Sequence, residues 1–277
     1  MTSKTGTAAQ DGVSVFVCEV SAEVLDAAWE RVEAISRSQR RRMRIKRLVD
    51  LPVAMLGLAA TAPLMLTVAA ALAVDLRENP FLRQQRAGRL GRPFGLLKLK
   101  TMRTRFDALG DLLPNEQRRS WVGDQVRKLS IDELPQLLNV VLGDLALVGP
   151  RPLWQEYVAC YRLDELPRLA MCPGITGLAQ VSGRNSVGWD ERFALDTQYC
   201  LSDRLIGDDL IIALRTLGQA LRVGETKVNQ AQNLVAARGH GAFSPPVGYQ
   251  PDRCPPELMA PSERSSGRRT RRRWPNA

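Results

Sequence analysis

A chain of 277 residues with 44% hydrophobic content is long enough for one substantial domain plus extensions, and too apolar for wholesale disorder. Its net charge of +10 points to an anionic partner, without choosing among nucleic acid, an acidic membrane surface and a phosphate-rich substrate. The five cysteines (18, 160, 172, 200 and 254) form neither a CxxC pair nor a zinc spacing, and the single histidine, His240, sits in a Gly-flanked segment near the end. This excludes the usual frameworks for Ser-His-Asp and Cys-His catalysis and leaves carboxylates and cations to do any chemistry.

In chain order, residues 1–12 are polar, "VSVFV" reads as a short strand, and "SAEVLDAAWERVEAI" reads as an amphipathic helix starting near Ser21. The basic cluster "RSQRRRMRIKR" then precedes an uncharged run from Leu51 to Val74. As a straight helix that run would reach about 36 Å, against about 30 Å of bilayer hydrocarbon, so it can span a membrane. Pro63 divides it into arms of about 16–18 Å, each able only to enter and return from mid-bilayer. Cations flank both ends, with Arg40, Arg41, Arg42, Arg44, Lys46 and Arg47 before it and Arg77, Arg83, Arg86, Arg89 and Arg92 after it. The positive-inside rule therefore gives no side preference, which a hairpin with both ends in the cytoplasm explains directly. A signal peptide starting at Met43 is opposed by the length of the run, and a buried core helix by the lack of any polar face. Full span and re-entrant hairpin both remain open on the residues alone.

The mixed region that follows, roughly 76–225, opens with "GRPFGLLKLKTMR", a turn and a short strand. The glycines of "GRLGRPFG" lack dinucleotide-fingerprint spacing and mark turns; no Walker A sequence occurs. In "RKLSIDELPQLLNVVLGDLALVGPRP", Asp132 and Glu133 stand side by side. Ser130 with Glu133 fits a capping box, and acidic residues in a first helical turn suit the macrodipole. Pro135 opposes that cap, because it would fall in the second turn; the helix then begins nearer Pro135 and leaves the two carboxylates on the loop that feeds it. Arg151 lies between Pro150 and Pro152, whose fixed backbones pre-position its guanidinium at low entropic cost, or else make a rigid surface turn. "CPGITGLAQVSGRN" adds three glycines and Arg184, suited to close backbone approach to an anion, or to an ordinary loop.

The order KR-x-x-D, a Pro-containing apolar run, "RQQRAGRLGRPFGLLKLKTMR", "LSIDELPQLLNVVLGDLALVGPRP", "PGITGLAQVSGRN", "WDERFALDTQY" and "DDLIIALRTL" resembles the bacterial sugar transferases. These are monotopic phosphoglycosyl transferases that start glycan assembly on a polyprenol phosphate carrier. The resemblance covers about Arg44 to Gly224. It implies a mainly helical α+β fold on a monotopic membrane protein, with a basic flank and re-entrant helix-break-helix (41–75) and a small cytoplasmic catalytic domain (76–225); outside it lie an N-terminal extension (1–40) and a Pro/Arg-rich tail (226–277) whose composition reads as disordered. Pro63 takes the breaker position, with Ala62 where the family commonly has serine.

The same resemblance implies that Asp132 attacks the sugar-proximal phosphate of a nucleoside diphosphate sugar, releasing the nucleoside monophosphate. Glu133 would bind magnesium (Mg2+) and assist the acceptor, an undecaprenyl-type polyprenol phosphate, at the bacterial inner membrane in exopolysaccharide or other surface glycan synthesis. Arg127, Arg151 and Arg184 are the candidate phosphate clamp, since phosphoryl transfer needs mainly positioning and charge neutralisation. Two segments depart from the family pattern: "DLRENPFLRQ" replaces "DPGPVFFRQ", and "KLKTM" replaces "KFRTM", putting Lys100 where the family has arginine. The polybasic tail end suits anionic lipid. The rival class is a membrane-anchored, non-enzymatic lipid- or nucleic-acid-binding protein; no nucleic acid is expected, because basic residues are not interleaved with aromatics. The sugar, the nucleotide base and the oligomeric state are not legible.

Overall fold

The computed structural model describes residues 22–183, 188–204 and 206–221. The expected strand "VSVFV", His240 and the Pro/Arg-rich tail lie outside them. Among the described residues the elements in order are α1 (Ala22–Ser38), α2 (Arg40–Leu76), β1 (Phe81–Ala87), β2 (Pro93–Leu99), α3 (Asn115–Arg118), α4 (Trp121–Lys128), α5 (Gln136–Leu142), β3 (Ala146–Val148), β4 (Gly174–Thr176), α6 (Leu178–Gly183), α7 (Trp189–Leu201) and α8 (Gly207–Leu221). Short 3-10 turns connect several of them. The architecture is thus α+β and mainly helical, with β1 and β2 paired antiparallel and β3 and β4 paired parallel.

Helix α1 carries Ala28, Trp29, Val32 and Ile35 at helical spacing, and this stripe packs on Ala87, Tyr161, Leu166, Leu169, Ala170 and Phe193. Val32 is fully buried. Helix α1, which lies within the segment counted as an N-terminal extension, therefore contributes this stripe to the folded body's core.

The basic flank has a structural use. Arg42 donates to the carbonyls of Tyr199 (2.9 Å) and Ser202 (3.1 Å), and Lys46 pairs with Asp209 at 2.6 Å, which also accepts from the Tyr199 hydroxyl at 2.6 Å. Asp50 accepts from the Leu147 backbone at 3.2 Å, and Arg47 bonds the Val140 and Val141 carbonyls at the end of α5. The first turns of α2 are thereby fastened to α5, α7 and α8.

Beyond Asp50, one stripe of α2 continues against the body. Ala54 packs with Leu96, Val140 and Leu145, Gly57 meets Leu137, and Met65, Val68, Ala69, Leu72 and Leu76 meet Leu99, Val126 and their neighbours. The opposite face leaves Val49, Val53, Leu56, Leu64, Leu66 and Val74 exposed. The expected break at Pro63 does not interrupt the helix: α2 runs from Arg40 to Leu76 with Pro52 and Pro63 inside it. Pro63 removes one N–H from the ladder, while the packed stripe before and after it holds both flanking turns in register. Thr67 returns a bond to the Pro63 carbonyl at 2.9 Å. The helix is long and apolar enough to cross a membrane by length and composition.

Asn139 ties α5 to the β1–β2 hairpin, accepting from the Leu97 backbone and donating to the Gly95 carbonyl, both at 2.9 Å. On the other side, Gly149 donates to Thr176 (2.8 Å) and Gly174 donates to Pro150 (2.9 Å), which holds the "GPRP" turn against β4. A Cβ on Gly174 would sit 2.1 Å from the Gly149 nitrogen, so only glycine permits this approach. Buried Arg168 pairs with Asp196 at 2.8 Å and donates to the Arg151 carbonyl at 2.8 Å, joining that turn to α7.

Candidate active site

The capping-box reading of the dyad does not survive the backbone. Ser130 sits in the left-handed region at φ 55° and caps nothing with its side chain. A 3-10 turn over Ile131–Glu133 follows, and α5 begins only after Pro135. Proline at the start of α5 costs no hydrogen bond there, which is why the helix starts at that point. Asp132 and Glu133 therefore occupy a tight turn packed against β2, half-buried and in front of the helix.

Their environments differ. Burial, then repulsion from Glu133, raises the Asp132 carboxyl above its ordinary value, against the pull of Lys98 and Arg127. No cation forms an ion pair with Asp132 among the described residues. Burial also pushes Glu133 upward, but Lys98, then Arg151 and Arg86, outweigh it and hold that carboxyl below the usual range. The Lys98 ammonium donates to Glu133 at 2.7 Å. The turn thus presents one unpaired, more basic carboxylate beside one locked in its ionised form.

Of the three arginines predicted as a clamp, two are described. Arg127 reaches the dyad electrostatically while paired to Asp124 at 2.8 Å. Arg151 is exposed, and its charge acts on Glu133. Arg184 lies outside the described residues. Sequence reasoning missed Lys98 and Arg86 as members of the site. The hairpin register pairs Leu82 with Lys98 and Gln84 with Leu96, so Leu82, Gln84 and Arg86 share a sheet face with Lys98. A strand's two-residue side-chain period groups Leu82, Gln84 and Arg86 on one face, but only the register tells which face carries Lys98.

Lys100, just past the end of β2, bonds Glu78. Glu78 helps to line an open cavity of about 520 Å³ with Asp75, Arg77, Arg103 and Thr104, at the C-terminal end of α2. Arg103 is paired to Asp75 at 3.1 Å. The lysine that departs from the family pattern therefore joins the site's strand to the end of the apolar helix.

Among the described residues no group of three or more His, Cys, Asp or Glu side chains could hold a metal ion. The dyad's two carboxylates fit the mode in which magnesium is bound by one or two carboxylates together with substrate phosphates and water.

The family model described as bacterial sugar transferase matches residues 41–223. Curated relatives include the uncharacterized sugar transferase EpsL of Bacillus subtilis (strain 168), 46% identical over 157 residues, which covers 57% of this chain and 78% of that protein. The exopolysaccharide production protein ExoY of Rhizobium meliloti (strain 1021) is 35% identical over 189 residues, 62% of this chain and 83% of that one. The UDP-glucose:undecaprenyl-phosphate glucose-1-phosphate transferase of Caulobacter vibrioides is 38% identical over 187 residues, 64% and 69% respectively. The chain belongs to the bacterial sugar transferase family. It is a sugar-phosphate transferase.

Proposed function

We propose that the enzyme transfers a sugar-1-phosphate from a nucleoside diphosphate sugar to a polyprenol phosphate in two steps through Asp132. An Asp132 oxygen attacks the sugar-proximal phosphorus, the bond from that phosphorus to the nucleotide's bridging oxygen breaks, and nucleoside monophosphate leaves. An oxygen of the polyprenol phosphate then attacks the same phosphorus, and the Asp132 carboxylate departs. The observation that carries this reading is the contrast within the dyad: a nucleophile must be ionised yet unpaired, and among the described residues Asp132 has no ion-pair partner, whereas Glu133 does.

Glu133, kept charged by Lys98, Arg151 and Arg86, holds its place beside the transferred phosphoryl group. Magnesium, held by Glu133 and the substrate phosphates, would supply charge neutralisation. Arg127, Arg151 and Arg184 contribute positive charge around the phosphates. The donor is a uridine diphosphate sugar and the acceptor undecaprenyl phosphate, as in the name of the Caulobacter vibrioides relative. The pathway is exopolysaccharide or other surface glycan synthesis, in line with the name of another. We place the enzyme at the inner membrane, anchored by the exposed apolar face of α2, with the catalytic residues facing the cytoplasm.

The test is release of nucleoside monophosphate by the detergent-solubilised chain, given undecaprenyl phosphate, magnesium and a panel of sugar nucleotides. Sustained release with at least one uridine diphosphate sugar, dependent on the lipid acceptor, is expected. No release with any donor would favour the non-enzymatic reading.

A further inference from the structure

Resting on the phosphoryl-transfer reading of the dyad, we propose that Arg86, oriented by Trp154, binds the diphosphate of the sugar nucleotide alongside Arg151. Arg86 sits near the end of β1, on the hairpin face that also carries Lys98. Its guanidinium lies 3.6 Å from the centre of the Trp154 ring, a cation–π contact that fixes the plane of the fork. The backbones of the two residues are bridged as well, and Ala87 donates to the Leu153 carbonyl at 3.0 Å, so both ends of the stack are rigid.

The bonding of the guanidinium is incomplete in a way that suits a ligand. Nη2 donates to Gln84 at 3.0 Å. Among the described residues, Nε is buried with no hydrogen-bond partner, and Nη1, which is not enclosed, has none either. Glu133 acts on Arg86 electrostatically, but its carboxylate is bonded to Lys98 instead; Glu156 acts on it too without forming an ion pair. Burial, then the like charge of Arg151, holds Arg86 down to about 10; both guanidinium groups act on Glu133, and neither forms an ion pair among the described residues. A partly buried cation retained beside another cation, and short of acceptors, is a site preloaded for negative charge. A diphosphate fits it: planar donors meet phosphate oxygens, and two arginines match two phosphoryl groups. Trp154 does not touch the phosphates; it is a positioning residue.

The experiment measures binding of uridine diphosphate and of inorganic pyrophosphate to the full chain in detergent by calorimetry, with melting midpoints as a folding control. Arg86→Gln is expected to weaken both probes about tenfold or more while binding of uridine alone stays unchanged, since a charge-assisted pair is lost. Arg86→Lys keeps the charge without the fork, and is expected to lose affinity about fivefold. Trp154→Leu is expected to raise the donor KM more than it lowers kcat, and Trp154→Phe to restore it by keeping a ring under the guanidinium. Wild-type affinity in a folded Arg86→Gln, or in Arg86→Lys if the glutamine variant does not fold, would overturn the assignment, as would absence of probe binding to the wild type. Equal behaviour of Trp154→Phe and Trp154→Leu would remove the positioning role. A wild type that binds these probes through Arg86 yet never releases nucleoside monophosphate would uphold the anion site and sink the transferase chemistry.

Discussion

At the residue scale, the proposed chemistry turns on two neighbouring carboxylates made unequal by what surrounds them. Lys98 is the nearest cation to Glu133, and Lys98→Met would leave that carboxylate to Arg151 and Arg86 with its burial less opposed. A charge-assisted bond of this kind is worth about 1.5–3 kcal/mol, so turnover should fall roughly tenfold or more while Lys98→Arg retains most of it. Steady-state kinetics on the two variants checks this; equal loss in both would mean that the strand needs lysine for another reason. Asp132 and Glu133 were legible in the sequence because adjacency and the Pro135 stop are local facts. The Ser130–Glu133 capping-box spacing was already opposed by Pro135, and α5 does start after that proline; the positive φ at Ser130 is what the spacing could not show. Lys98 and Arg86 were illegible because their approach to the dyad depends on hairpin register and on Asn139 docking α5 onto β2.

At the element scale, α2 serves two environments at once. Leu72 is fully buried against β2 and α4, whereas Leu64 lies on the face turned outward. Leu72→Ala should cost about 2–5 kcal/mol through lost burial and the cavity left behind. Leu64→Ala should cost within about 0.5 kcal/mol in detergent, as a surface change does. Thermal melting of the two variants decides; equal losses would contradict the orientation of the helix. The apolar run and its length were plain from the sequence. Its unbroken course through Pro63 was not, because proline strain competes with tertiary packing that a one-dimensional pattern does not contain. The same holds for α1, whose amphipathic stripe was visible while the core it completes was not.

At the scale of the whole molecule, both ends of the apolar run belong to one folded body. Ala54 is buried on α5 and β2, and Ala69 is buried with the cluster around Leu99 and Val126. The helix between them, about 21 Å long, is shorter than the hydrocarbon core of a bilayer, so a transmembrane crossing would have to tear one of these contacts. Arg41→Cys and Arg83→Cys should therefore both react with an impermeant maleimide from the cytoplasmic side alone. Labelling from opposite sides of the membrane would contradict the anchoring proposed here. The fastening at the start of α2 makes the same point: the Lys46–Asp209 pair joins the apolar helix to α8, more than a hundred residues later.

The most direct test of the central claim is isotope exchange without acceptor. Given a sugar nucleotide and magnesium but no polyprenol phosphate, the wild type should exchange labelled nucleoside monophosphate into the sugar nucleotide, because the first step is reversible. Asp132→Asn keeps the shape of the side chain and removes its charge, so exchange should vanish, while Glu133→Gln should retain exchange or a trappable phosphosugar adduct as overall turnover drops steeply. Exchange persisting in Asp132→Asn, or absent from the wild type until acceptor is added, would contradict the covalent intermediate and favour direct transfer.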